Sequence, residues 1–230
     1  ESVLSYAKLK GYRTGENPAV WRGNLDMAYK PKDKTRKVKH HPAMDYKELP
    51  EFMQQLKLKC KTCISAKALM LTILTVPRTS EVIYAKASEI VGDIWTIPEE
   101  RMKRGIKHKI PLSIQAVELI KGLTPVDGWL FPGMKAGERI STGAMDNLLE
   151  VMGRKNVTVH GFRATFETYM EDKHDFSENV IDTCLAHLLK DSNDGAYNRA
   201  NYLEKRRHVM QIWADYCLPT EEGNVIPIRA

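Results

Sequence analysis

Nowhere among the 230 residues is there an apolar run of the roughly 18 or more positions that a membrane-spanning helix needs. The opening residues, Glu1-Ser2-Val3-Leu4-Ser5, carry neither a basic leader nor the apolar core of a signal peptide, so the expectation is a soluble intracellular protein without a membrane partner. No methionine opens the chain, and the abrupt start suggests a fragment of something longer. Cysteine is scarce. Of the four, Cys60 and Cys63 form a lone Cys-x-x-Cys with no second pair to complete a zinc site, and Cys184 and Cys217 stand apart. The reading is ordinary reduced thiols, with Cys60 and Cys63 on one helix face, in a reducing compartment. No His-Glu-x-x-His and no paired nuclease-type acids occur, so no metal is expected. No glycine-rich loop precedes a lysine either, which leaves out an ATP site and any cofactor.

What the chain does have is positive charge and enough apolar residues for a sizeable core. Lysine and arginine total 35 against 29 acids, a net +6 that suits a polyanion partner without demanding one. The basic run Lys30-Pro31-Lys32-Asp33-Lys34-Thr35-Arg36-Lys37-Val38-Lys39-His40-His41 follows a glycine- and proline-broken start and reads as a linker. From Asp45 the periodicity turns helical, with an Asp45/Glu48 capping box and Leu49, Phe52, Met53 and Leu56 at helix spacing. Ala66–Val76 is apolar almost all round, so that helix belongs in the core, and Pro77 ends it. Ile94–Pro98 and Ile106–Pro111 alternate around a basic turn and read as a hairpin; Trp129–Phe131 offers a further strand. Helices are expected near 113–122, 141–152, 160–171, 177–188 and 203–216. The fold class is therefore mainly α with a small antiparallel β-sheet.

Three distant segments bring chemistry. Arg78 lies in Pro77-Arg78-Thr79-Ser80-Glu81, His160 and Arg163 in His160-Gly161-Phe162-Arg163, and His187 precedes Tyr197 by ten residues. Guanidinium groups meet phosphate oxygens in two-pronged geometry, so two arginines, two histidines and a tyrosine can clamp a phosphate, move protons and attack. Each piece alone has a plainer reading. Taken singly, Arg78 reads as a surface arginine paired with Glu81 one turn on, His160 and Arg163 as a structural histidine beside a surface arginine, and His187 as a histidine on a helix dipole. The ordered series is what outweighs those readings.

These segments resemble the tyrosine recombinase (phage integrase) family, and within it the prophage-type integrases. The likeness runs from about His41 to Tyr216 and is densest over Thr75–Glu81, Arg101–Ser113, His160–Thr168 and Leu185–Trp213. The resemblance implies the DNA breaking-rejoining catalytic fold. Residues 1–40 would be the end of a truncated core-binding domain plus linker, 41–218 the catalytic domain and 219–230 a tail, whose Asn224-Val225-Ile226-Pro227-Ile228 is apolar enough to dock as a short strand. It implies a site-specific integrase that integrates or excises a mobile element through a 3′-phosphotyrosyl bond, with no metal or cofactor. In this reading Arg78, Arg163 and His187 hold the phosphate, with Glu81 behind Arg78. His160 assists proton transfer, and Lys103, in Arg101-Met102-Lys103-Arg104, protonates the leaving 5′ hydroxyl. Tyr197 is the nucleophile and Tyr202, five residues on, the rival. The implied partners are double-stranded DNA attachment sites, three further copies in a tetramer, and accessory DNA-bending proteins, in the cytoplasm at the nucleoid. Two alternatives stand beside it: strand relaxation of the type IB topoisomerase kind, and a catalytically silent DNA-binding relative.

Overall fold

The structure, a computed structural model, describes residues 1–29, 41–103, 105–187 and 197–219, with only the backbone of 197–201. The expected linker over 30–40, the stretch 191–195 before Tyr197 and the tail strand at 224–228 lie outside the described residues. Two compact units divide the chain, Glu1–His40 and His41 onward. In the first, α1 (Ser2–Leu9) stops short of Gly11, whose φ of +72° favours a residue without a Cβ. Asn17 ties the following loop back to α1, donating to the Glu1 carbonyl at 2.9 Å and to Ser5 Oγ at 2.8 Å. An irregular turn over Trp21–Leu25 leads into the single-turn α2 (Asp26–Ala28).

The second unit is built around one buried helix. α3 (Leu49–Lys59) turns Leu49, Phe52, Met53 and Leu56 inward, as their spacing dictates. The expected capping box is replaced: Asp45 caps a 3₁₀ turn over Tyr46–Glu48 by accepting from the Lys47 N–H at 2.9 Å, and Glu48 pairs with Arg154. Cys60 and Cys63 fall in the connection after α3 rather than on one helix, and all four cysteines are free thiols. α4 (Ile64–Thr75) is buried along almost its whole length. Leu69, Leu71, Ile73 and Leu74 are fully covered, each contributing about 1.5–3 kcal/mol of burial. Its two inward hydroxyls cost little, because Thr72 and Thr75 donate to the carbonyls one turn back at 2.8 and 2.6 Å.

α5 (Thr79–Ile83) follows at once. A three-stranded antiparallel sheet comes next, β1 (Ile90–Val91), β2 (Ile94–Ile97) and β3 (His108–Pro111) in that order, with Ile94 opposite Pro111 and Ile97 opposite His108. The third strand is thus Ile90–Val91 rather than Trp129–Phe131. Asp127-Gly128, both at positive φ, reverse the chain so tightly that Trp129 makes only isolated bridges, to Val126 and Lys86. Helices α6 (Ile114–Lys121), α7 (Ala144–Val151), α8 (Gly161–Lys173), α9 (Glu178–Cys184) and α10 (Tyr197–Cys217) complete the unit. α10 packs on α3, α4, α6, α9 and β3, and Trp213 donates its indole N–H to the Ile73 carbonyl of α4 at 2.7 Å. No helix among the described residues is long and apolar enough to cross a membrane.

Candidate active site

The central helix delivers the first arginine. α4 ends on Val76 in the left-handed region at φ +48°, a costly state for a β-branched residue, and Pro77 prevents the helix from resuming. Arg78 then stands at the N-cap of α5. Its backbone N–H and its guanidinium both donate to the Glu81 carboxylate, each at 2.8 Å, and Glu81 is 1% exposed. Arg78 and Glu81 are therefore a bonded pair, the plainer reading of the sequence, and the same bond fixes the guanidinium in one place.

The second arginine is placed by a close approach of backbone. Gly161 opens α8 against Pro42–Ala43, where any Cβ would meet the Pro42 carbonyl oxygen at 2.1 Å. With that fit, His160 caps α8 and Arg163 points inward one turn later. Arg163 is 7% exposed and donates to two backbone carbonyls, Val76 at 2.5 Å and Leu185 at 2.6 Å. The strained turn at Val76 thus aims its oxygen at a buried cation. Burial, then the nearby Arg78 charge, push the Arg163 guanidinium down to about 10.

His187 arrives from α9. That helix ends four residues before the expected limit, because Ala186 adopts φ +51° and the His187 N–H closes on the Asp182 carbonyl at 2.9 Å. The His187 ring then lies between Asp182, 2.9 Å from Nδ1, and Arg163, 3.3 Å from Nε2. His160 is held below the usual imidazole range, first by burial, then chiefly by the Arg163 charge, with smaller contributions from His41, Arg78 and His187. Arg78, His160, Arg163 and His187 therefore share one electrostatic neighbourhood, although they come from three separate segments.

Lys103 and Tyr197 stand differently. Lys103 is exposed on the β2–β3 connection, with no hydrogen bond or ion pair among the described residues. Its neighbour Arg101 is committed elsewhere, to Glu89 at 2.5 Å and to the Glu81 carbonyl at 3.2 Å. Tyr197 is the first residue of α10, six residues upstream of the expected helix start. Tyr202 rests on the core with Lys205 over its ring at 5.8 Å.

Four residues here escaped the sequence reading. His41 stands edge-on to His160, with ring centres 4.5 Å apart. His108 is buried on β3, and burial followed by the Arg206, Arg163 and Arg78 charges pushes it down to about 3. Arg206, on α10 and 4% exposed, donates to the Lys109 carbonyl at 2.6 Å and bonds the Cys184 thiol, while its Nε has no partner. Asp182 holds His187. Only His108 had a legible signal, since the alternation of the hairpin places it on the inward face with Ile110. Donor atoms of Glu167, Asp182 and His187 lie within 4.8 Å of one another. Both ring nitrogens of His187 are already bonded, so the group reads as a charge-balanced cluster rather than a cation site.

The family model described as the phage integrase family matches residues 42–204, well over half of the chain. The chain belongs to the phage integrase family. Among curated relatives of this integrase-family chain, prophage integrase IntA of Escherichia coli K12 is 30% identical over 231 aligned positions, covering 97% of the chain and 54% of IntA. Prophage integrase IntZ of the same strain is 34% identical, covering 85% and 50%. The integrase of Enterobacteria phage P4 is 31% identical, covering 79% and 46%. The chain thus spans about half the length of the relatives it matches. Among solved structures, a λ integrase (75–356) dimer bound to a COC′ core site has the same fold, with TM-score 0.55 and 18% identity over 84% of this chain and 70% of that one. A λ integrase tetramer bound to a Holliday junction gives TM-score 0.56 and 19% identity, over 83% and 56%.

Proposed function

We propose that this chain carries the catalytic domain of a site-specific DNA recombinase, an integrase that cuts and rejoins double-stranded attachment sites through a 3′-phosphotyrosyl intermediate on Tyr197. The observation that carries this reading is the convergence of Arg78, His160, Arg163 and His187 into mutual electrostatic contact. Two guanidiniums and an imidazole suit the non-bridging oxygens of a phosphate whose charge grows in the transition state. His160, held below the usual imidazole range by burial and then by its cationic neighbours, is fitted to relay a proton. Lys103, exposed on the hairpin connection, would protonate the leaving 5′ hydroxyl. A phenol is a weak nucleophile at neutral pH, so Tyr197 loses its proton as it attacks.

In this reading residues 41–218 form the catalytic domain, 1–40 end an upstream DNA-clasping domain with its linker, and 219–230 are a C-terminal tail. The partners are duplex attachment sites and three further copies, by analogy with the λ integrase chains bound to a core site and, as a tetramer, to a Holliday junction. DNA-bending accessory proteins would complete the assembly, which works wherever the host keeps its DNA.

The test is to incubate the full-length protein in EDTA with nicked DNA carrying an attachment sequence, then map any covalent adduct by mass spectrometry. An adduct on Tyr197, lost in Tyr197→Phe with binding retained, is the expected result. An adduct on Tyr202 would move the nucleophile. Binding without any adduct would overturn the recombinase reading in favour of a silent DNA-binding relative.

A further inference from the structure

His187 has both ring nitrogens engaged before any DNA is present. A guanidinium donates and never accepts, so the contact between Arg163 Nη2 and His187 Nε2 requires a lone pair on Nε2. The ring proton then sits on Nδ1, where the Asp182 carboxylate accepts it at 2.9 Å. In the DNA-free protein His187 is therefore neutral, in one defined tautomer. The charged and titratable groups that face it are Asp182 from α9, Glu167 and Arg163 from α8, and His160 at the head of α8. Asp182 grips His187 twice, through its carboxylate on the ring and through its carbonyl on the backbone N–H. Glu167 adds a second carboxylate, itself held above the usual carboxylate range by burial and then by the Glu171 charge.

That arrangement is incompatible with a phosphate contact as it stands. A lone pair on Nε2 repels a phosphate oxygen, whereas an N–H attracts it. Resting on the recombinase reading, in which His187 meets the scissile phosphate, we propose that phosphate binding is coupled to uptake of one proton at His187 Nε2. Asp182 is the positioning residue that makes this possible. The proton comes from solvent and converts imidazole to imidazolium; Nδ1–H stays on Asp182, whose charge balances the new cation. The Arg163 N–H that had donated to Nε2 is released toward the same phosphate. Histidine is suited to such a role because its protonation changes near neutral pH.

Calorimetry of the full-length Tyr197→Phe protein binding attachment-site DNA, repeated at one mildly alkaline pH in buffers of different ionisation enthalpy, counts the protons taken up without interference from cleavage. Uptake close to one proton is expected, abolished by adding His187→Gln and at least about halved by adding Asp182→Asn. Uptake that survives His187→Gln, or no uptake at all, overturns the proposal. Uptake lost with His187→Gln but unchanged with Asp182→Asn overturns the part assigned to Asp182. Should Asp182→Asn fail to fold, the nitrogen-15 shifts of His187 carry the same test. Nε2 must pass from lone pair to N–H when DNA is added, and a lone pair that persists sinks the idea. Failure of the recombinase reading is separate, since it shows as absence of an adduct on Tyr197 in the unsubstituted protein.

Discussion

The two arginines proposed to hold the phosphate are held in opposite ways. Arg78, at the corner between α4 and α5, is partly exposed and bonded to the buried Glu81 carboxylate. Arg163, at the start of α8, is buried, and its hydrogen-bond partners are the neutral Val76 and Leu185 carbonyls and the ring of His187. A carboxylate cancels a guanidinium charge, whereas carbonyl dipoles solvate it and leave it whole. The site thus contains one arginine whose charge is balanced in advance and one whose charge still awaits an anion. Arg206 follows the second pattern, with a carbonyl, a thiol and an unpartnered Nε around it. Burying a cation with no carboxylate bonded to it costs stability, which Glu81 and Glu167 nearby only partly offset for Arg163, and strain at Val76 adds to that cost.

The largest effect expected from this contrast is at Arg163. Arg163→Lys keeps the charge but offers a single ammonium in place of a fork, so it cannot serve both carbonyls and His187 together. Adduct formation on a nicked substrate should fall by about 10²- to 10³-fold, the range seen when a preorganised oxyanion contact is lost. The matching Arg78→Lys change should lose clearly less, because Glu81 still orients the replacement. Equal losses at the two positions would erase the distinction between them.

Acid should strain the carbonyl-held side next. Folded His108 is pushed down to about 3 against 6.5 as its ordinary value, so the unfolded chain binds the extra proton between those limits. Stability therefore rises with pH through that window and is lost as pH falls from about 6.5 toward 3. The loss attributable to His108 is on the order of 4–5 kcal/mol at the acid end. Urea titrations of the wild type and His108→Gln across this range should show a shallower pH dependence in the variant; parallel curves would mean that His108 is not the group responsible.

Glu81→Gln tests the balanced arginine. The amide keeps one accepting oxygen but turns an NH2 donor toward the other Arg78 N–H, it no longer neutralises the guanidinium, and Glu81 is too buried for water to substitute. A loss of about 1–2 kcal/mol in unfolding free energy and roughly 10- to 100-fold in adduct rate is expected, measured by urea midpoint and by quenched-flow assay. A gain in rate would mean that Glu81 restrains Arg78 instead of positioning it.

How much of this was legible in the sequence follows the same division. Arg78 and Glu81 could be read, because both partners are side chains three positions apart. The partners of Arg163 could not, because they are backbone oxygens of Val76 and Leu185, which no residue code announces. The hairpin and the buried α4 were readable from alternation and from an all-round apolar run. The early end of α9 was not, because it depends on an alanine in a conformation that glycine usually supplies. Asp182 was equally hidden, since five residues is no helical neighbour distance and only the reversal at Ala186 folds His187 back over it.

That alanine provides the smallest and sharpest test. Ala186 at φ +51° carries a Cβ penalty of about 1–2 kcal/mol, and glycine would remove it while adding somewhat less in unfolded-chain entropy. Ala186→Gly should therefore raise stability by about 0.5–1 kcal/mol, read as a higher urea midpoint at unchanged slope. The same residue joins the Leu185 carbonyl that holds Arg163 to the His187 ring that receives its third N–H. If the strain only closes the helix, Ala186→Gly leaves adduct rates alone. If it also keeps that carbonyl and that ring in register, the more stable variant is the slower one, and the carbonyl-held arginine depends on backbone geometry in a way the carboxylate-held one does not.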